Sequence, residues 1–218
     1  MGPTARARPS RHLRARAADE RGFTLPELLV TMAILLIVVG SLASVLVSAS
    51  KSEVDAGKRF QVQVQDRTAL DKLRRELHCA SSVTDTSGNA LTAGTAYTAI
   101  DTRLSSVCPS TLGTTTYVTW CTAASTLTTG DYALYRVTST SSRPTCSSSG
   151  KIKWVDYLTT STPFCLPSSS TACSGVYKPA TSLPMLHVTL PVDINGPSST
   201  IDKYNLVDDI ALRNGARS

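Results

Sequence analysis

From residue 28 to residue 47 the chain reads LLVTMAILLIVVGSLASVLV, without a charge. Twenty residues at 1.5 Å each span about 30 Å, the thickness of a bilayer core, so this run predicts a membrane-crossing helix. After Ser50 the pattern changes without breaking. The stretch KSEVDAGKRFQVQVQDRTALDKLRRELHCASS contains no proline. Val54, Phe60 or Gln61, Val64, Ala69 or Leu70, Leu73, Leu77 and Ala80 recur every three to four positions among charged and amide residues. That spacing predicts an amphipathic helix with this face buried. Joined to the apolar run, it makes one helix from about Phe23 to about Ala80, roughly 85 Å long. From Ser81 onward Ser, Thr, Gly and Pro dominate, and alternation replaces the helical period. Strands are expected at 114–122, 131–139, 150–160, 185–194 and 200–212, where β-branched and aromatic residues alternate with polar ones. In the fourth of these, Leu186, Val188, Leu190 and Val192 share a face, which points His187 to solvent. The Pro/Ser-rich segment 161–184 reads as a long loop held by a disulfide.

Charge refines this picture more than composition does. The 218 residues carry a net charge of +6. Residues 1–22 hold six Arg against Asp19 and Glu20, a local +4; the remaining 16 basic and 14 acidic residues leave +2. The bulk of the chain therefore shows no polyanion-binding patch, and no nucleic-acid partner is implied. The basic head fits a leader retained on the cytoplasmic side of a membrane. Cys79, Cys108, Cys121, Cys146, Cys165 and Cys173 all follow the apolar run, and none forms a CxxC pair. An even count on the outer side of a membrane favours disulfides, with fifteen pairings open.

The junction between leader and helix, RGFTLPELLVTMAILLIVVG (residues 21–40), resembles the class III signal of type IV prepilins and pseudopilins. The pattern is a short basic leader ending in Gly, then Phe-Thr-Leu-x-Glu, then an apolar helix. It covers about twenty-five residues closely, and the rest of the chain only by architecture. The resemblance implies cleavage between Gly22 and Phe23 by a membrane-embedded prepilin peptidase, followed by methylation of the new amino group of Phe23. It gives Glu27 an assembly role: its carboxylate would pair with the Phe23 ammonium and set axial register between packed helices. A carboxylate that merely favours the helix N-terminus is the simpler alternative. The segment QDRTALDKLRRELHCASSV resembles, more loosely, the helix that leads into the head of minor pilins and J-type minor pseudopilins, as YNLVDDIALRN resembles their final strand. Many major pilins place a proline near position 22 of the mature chain; Ser44 stands there, which favours a minor or pseudopilin subunit.

The expected architecture is thus α+β and pilin-like. Residues 1–22 form a cleaved leader, 23–50 the transmembrane and filament-core helix, 51–80 its amphipathic second half, and 81–218 an antiparallel head with disulfides. The resemblance implies a structural subunit of a type IV pilus or secretion pseudopilus, in a tip or initiation complex. Its partners would be the prepilin peptidase, other pilins or pseudopilins, the assembly platform membrane protein, and the membrane itself through residues 28–47. It would lie once across the cytoplasmic membrane with the head outside. The rival reading is an anchored or secreted binding protein or enzyme with an ordinary signal sequence cut near Ala49. The residues offer no catalytic constellation: His12, His78 and His187 are scattered, and no G-x-S-x-G occurs, so neither an enzyme nor a cofactor is expected. Asp208 and Asp209, with Asp193 and Asp202 near them, are the one candidate calcium cluster. No EF-hand spacing supports it, and solvated strand-end acids are the simpler account. Trp120, Trp154, Tyr132, Tyr135 and Tyr157 read as core or cross-strand residues before an adhesive surface.

Overall fold

A computed structural model describes residues 22–106, 108–109, 114, 116–127, 129–167, 184–194 and 203–213. One helix, α1 (Leu25–Cys79), precedes nine strands. They are β1 (Ala80–Thr84), β2 (Ala96–Tyr97), β3 (Ala99–Leu104), β4 (Thr116–Ala124), β5 (Tyr132–Ser139), β6 (Ile152–Leu158), β7 (Phe164–Cys165), β8 (Met185–Asp193) and β9 (Lys203–Ala211). The chain divides into two compact units, the first ending at Ser52 and the second beginning at Glu53. The leader, His12, Cys173, Asp202 and most of the 161–184 segment lie outside the described residues.

In the first unit, every described residue is exposed. Its helix is Leu-, Ile-, Val- and Ala-rich, and its few hydroxyls satisfy themselves. Thr31, Ser41 and Ser44 donate to the carbonyls of Leu28, Val38 and Ser41 at 2.8–3.0 Å. These three hydroxyls are thereby met where the surroundings are apolar.

The second unit holds a helix face against an antiparallel sheet. The strand order is β1-β3-β4-β5-β6-β8-β7-β2, with β9 paired to β8 along its whole length. Strands β4, β5 and β6 form the expected meander. Leu186, Val188, Leu190 and Val192 share the buried face of β8 with Ile210 of β9. The same core takes in Leu104, Val118, Trp120, Leu134, Val155 and Phe164. On the opposite face of β4 and β5 lies a smaller cluster of Ala99, Cys121, Ala133, Tyr135 and Val137. There the disulfide Cys121–Cys146 ties the 139–151 connection back to the sheet. A second disulfide, Cys79–Cys108, joins the end of α1 to the chain beyond β3. Cys165 is disulfide-bonded as well.

The buried stripe of α1 differs from the expected one. It consists of Val62, Asp66, Ala69, Leu70, Leu73, Glu76 and Leu77. Val54 and Val64 are exposed, and Phe60 is 70% exposed. Two acids inside the stripe explain the error. A periodicity built on apolar residues skips Asp66 and Glu76 and drifts onto Phe60 and Val64. Both acids are buried because the sheet supplies partners. Glu76 accepts from Arg136 Nη2 at 2.7 Å and Nε at 3.0 Å, from Trp120 Nε1 at 2.9 Å, and pairs with Lys72 at 3.1 Å. Asp66 accepts a short hydrogen bond from the Tyr204 hydroxyl. Burial pushes the Asp66 carboxyl up to about 7, against the opposing pull of that bond. A third tether, Arg74 to Asp208, is bidentate but half-exposed, worth about 1 kcal/mol or less.

Strands β1, β2, β3 and β7 escaped the sequence reading, β7 lying in the segment 161–184 expected as a loop, with Phe164 in the core. In β3, AIDTRL, the acid, hydroxyl and guanidinium break the alternation, yet Asp101 and Thr102 are buried. Thr119 donates to Asp101 at 2.6 Å, and Thr102 donates to the Val118 carbonyl. Cross-strand hydroxyls make that polar strand tolerable inside the sheet.

Candidate processing and assembly segment

The segment from Gly22 to Glu27 stands clear of the rest of the chain. Gly22 is exposed, and a Cβ built on it would meet nothing within 4 Å. Glycine is therefore not demanded there by this fold. Phe23 is 77% exposed. The carbonyl of Thr24 accepts the first helical bonds, from the N–H of Glu27 at 3.0 Å and of Leu28 at 3.2 Å. Thr24 thus sits at the N-cap, Pro26 falls in the first turn where its missing N–H is harmless, and Glu27 takes the third helical position. Thr24-x-x-Glu27 is the spacing of a capping box, a local signal the sequence reading passed over. An acid there also favours the positive end of the helix. Glu27 is exposed and makes no ion pair among the described residues. What the chain presents is a single carboxylate on the first turn of an exposed apolar helix, one residue type that helix cannot satisfy from within. By length and composition, α1 can cross a membrane.

The other candidates fall elsewhere. Asp208 and Asp209 are neighbours on β9, so they face opposite sides of the sheet. Asp208 is taken by Arg74, and Asp209 accepts from His187 Nδ1 at 2.9 Å. Among the described residues no three His, Cys, Asp or Glu side chains converge as a metal group would require. His187 is 1% exposed, which corrects the solvent-facing placement. It stands in register between Cys165 on β7 and Asp209 on β9, and both flanking strands shield its ring. His78 lies in the last turn of α1. Trp120 and Trp154 form a tilted pair with ring centroids 5.7 Å apart.

Residues 18–43 match the family model described as the prokaryotic N-terminal methylation motif. No curated protein and no solved structure matches the chain. The motif match ends within the apolar run, and the head enters only by its architecture. A methylation motif, the long apolar N-terminal helix that carries it and an antiparallel disulfide-bonded sheet together give the chain a type IV prepilin-like N-terminus on an α+β, pilin-like architecture.

Proposed function

We propose that the chain is a minor pilin or pseudopilin, cut between Gly22 and Phe23 by a prepilin peptidase and methylated on Phe23. Hydrolysis of that peptide bond releases residues 1–22 and leaves the α-amine of Phe23 as the methyl acceptor. Residues 23–50 remain in the membrane as a stored subunit, residues 51–80 join them to the head, and 81–218 lie outside. Assembly draws the apolar helices together into a filament core, with the platform protein and neighbouring pilins as partners. The role is structural rather than enzymatic.

One observation carries this reading: Glu27, without an ion pair among the described residues, on the first turn of a helix fit for a bilayer. A carboxylate held at bilayer depth costs about 3 kcal/mol by insertion scales, so such residues are paired and functional. The ammonium of Phe23 on a neighbouring subunit is the partner that cleavage creates. The absence of a proline near Ser44 favours a minor subunit near the filament tip. The test is the mass of the N-terminal peptide of protein taken from its own membranes. A chain starting at Phe23 with one added methyl group supports the reading. A chain starting near Ser50, or an intact leader, refutes it and restores the ordinary signal sequence.

A further inference from the structure

A cleft of about 230 Å³ opens in the second unit between α1 and β6. Trp154 and Tyr157 supply its aromatic wall, Val62 and Val155 its apolar floor. Gln61, Gln65 and Lys58 reach over it from successive turns of α1. Three features set this place apart from the rest of the sheet. Tyr157 has φ 62°, the one positive φ among the described non-glycine residues. A side chain held in that region is strained, and such strain gathers where a surface must be shaped for binding. The β5–β6 register also slips on both sides of Leu134, as bulges do beside sites. Finally, Trp154 is fixed from behind by Trp120, yet its buried Nε1 has no hydrogen-bond partner.

The charges decide what would fit. Asp156 accepts from Lys153, Ser125 and the Tyr157 N–H, so Lys153 and Asp156 cancel. Lys58 has no acidic partner among the described residues. The cleft therefore offers one uncompensated cation, two primary amides and an aromatic face. Phosphate would ask for several converging cations or a guanidinium fork, which are missing from this lining. The volume is below the usual range for drug-sized ligands, about 300 Å³ and upward, and suits a single ring. We propose that this cleft binds an acidic sugar residue, a hexuronate unit of a polysaccharide. The apolar face of the pyranose would lie on Trp154, its hydroxyls would meet Gln61 and Gln65, and its carboxylate would meet Lys58. The inference does not rest on the filament reading, since it uses residues of the head and the adjoining helix alone.

The chain has two tryptophans, so its indole N–H groups give two nitrogen-15 resonances that can be assigned by substitution. Galacturonate and trigalacturonate are titrated into the full chain in detergent micelles. The expected result is a saturable shift of the Trp154 resonance with millimolar affinity, while Trp120 stays still. Galactose should bind about tenfold more weakly, the scale of one charge-assisted contact. Lys58→Gln should remove that preference without changing galactose binding, and Gln61→Ala should weaken both sugars. Both residues are exposed on α1, so these variants fold. No saturable shift, an equal response to acetate, or undiminished galacturonate binding in Lys58→Gln overturns the proposal.

Discussion

Replacing Glu76 by alanine should be the most damaging single change at the helix–sheet contact of the head. The side chain of Glu76 is 1% exposed, and that of Arg136 is 12% exposed. Three groups lose an acceptor at once: the guanidinium of Arg136, the indole N–H of Trp120 and the ammonium of Lys72. Breaking a buried pair by deleting one member costs about 3–5 kcal/mol, because the other charge stays behind. The orphaned indole adds about 1–3 kcal/mol. Two facts reduce the sum. Lys72 is a quarter exposed and can turn to water. A cleft lined by Lys72, Arg75, Glu76, Cys79 and Pro109 would admit water to the vacated place. The net loss works out at about 4 kcal/mol, a large share of the 5–15 kcal/mol that holds a typical domain. At roughly 2–4 °C per kcal/mol, the melting temperature should fall by about 8–16 °C. Thermal unfolding of the full chain in detergent, followed by near-ultraviolet circular dichroism, reads this directly, because Trp120 reports on the contact. The double variant Glu76→Met, Arg136→Met removes both charges and should recover most of the loss. A single-variant loss below about 1 kcal/mol, or a double variant as poor as the sum of its parts, would refute the reasoning.

Asp66 gives a pH test. Its folded carboxyl lies at about 7, above the ordinary carboxylate range. Between about pH 4 and 7 the folded chain keeps a proton the unfolded chain has lost, so stability should fall as pH rises and level off beyond 7. Asp66→Asn should flatten that slope in unfolding experiments across the same range. Cys121→Ser with Cys146→Ser opens a loop of 25 residues and should cost about 2–4 kcal/mol in denaturant unfolding. Glu27→Ala should leave cleavage after Gly22 and methylation of Phe23 intact, its N-terminal peptide changed only by the mass of the substitution, while removing the chain from sheared filaments, as scored by immunoblot; normal incorporation would sink the register role.

Much of the architecture is legible because a few long patterns carry it. An uncharged run of twenty residues, and strands such as β8 with four apolar residues on one face, leave little freedom of interpretation. The methylation motif is legible for a different reason: Gly22, Phe23 and Glu27 occur in a fixed order ahead of that run. What stayed hidden is polar and buried. Asp66 and Glu76 look like surface residues until Tyr204 and Arg136, far along the chain, come to meet them. The same long-range pairing hides β3, whose Asp101 is acceptable only beside Thr119, and turns His187 from a surface residue into one shielded between strands. Local periodicity contains no information about partners tens of positions away, so the helix face was read correctly from Ala69 to Leu77 and misread before it, where Val62 and Asp66 stand in place of Phe60 and Val64.

The tethers of the head also fix the order in which it can be completed. Glu76 reaches 60 positions forward to Arg136, Arg74 reaches 134 to Asp208, and Asp66 reaches 138 to Tyr204. The last strand to be synthesised, β9, is therefore the one that locks the helix down. Until its residues have emerged on the same side as α1's second half, Asp66 lacks its hydroxyl and Leu206 and Ile210 are missing from the core. A topology closed by such distant contacts folds slowly and late. For a chain anchored by its first helix, this means the head stays an open polymer until β9 arrives. Removing Lys203–Ala211 would leave it permanently unfinished, with Asp66 and the Leu190 face of β8 uncovered.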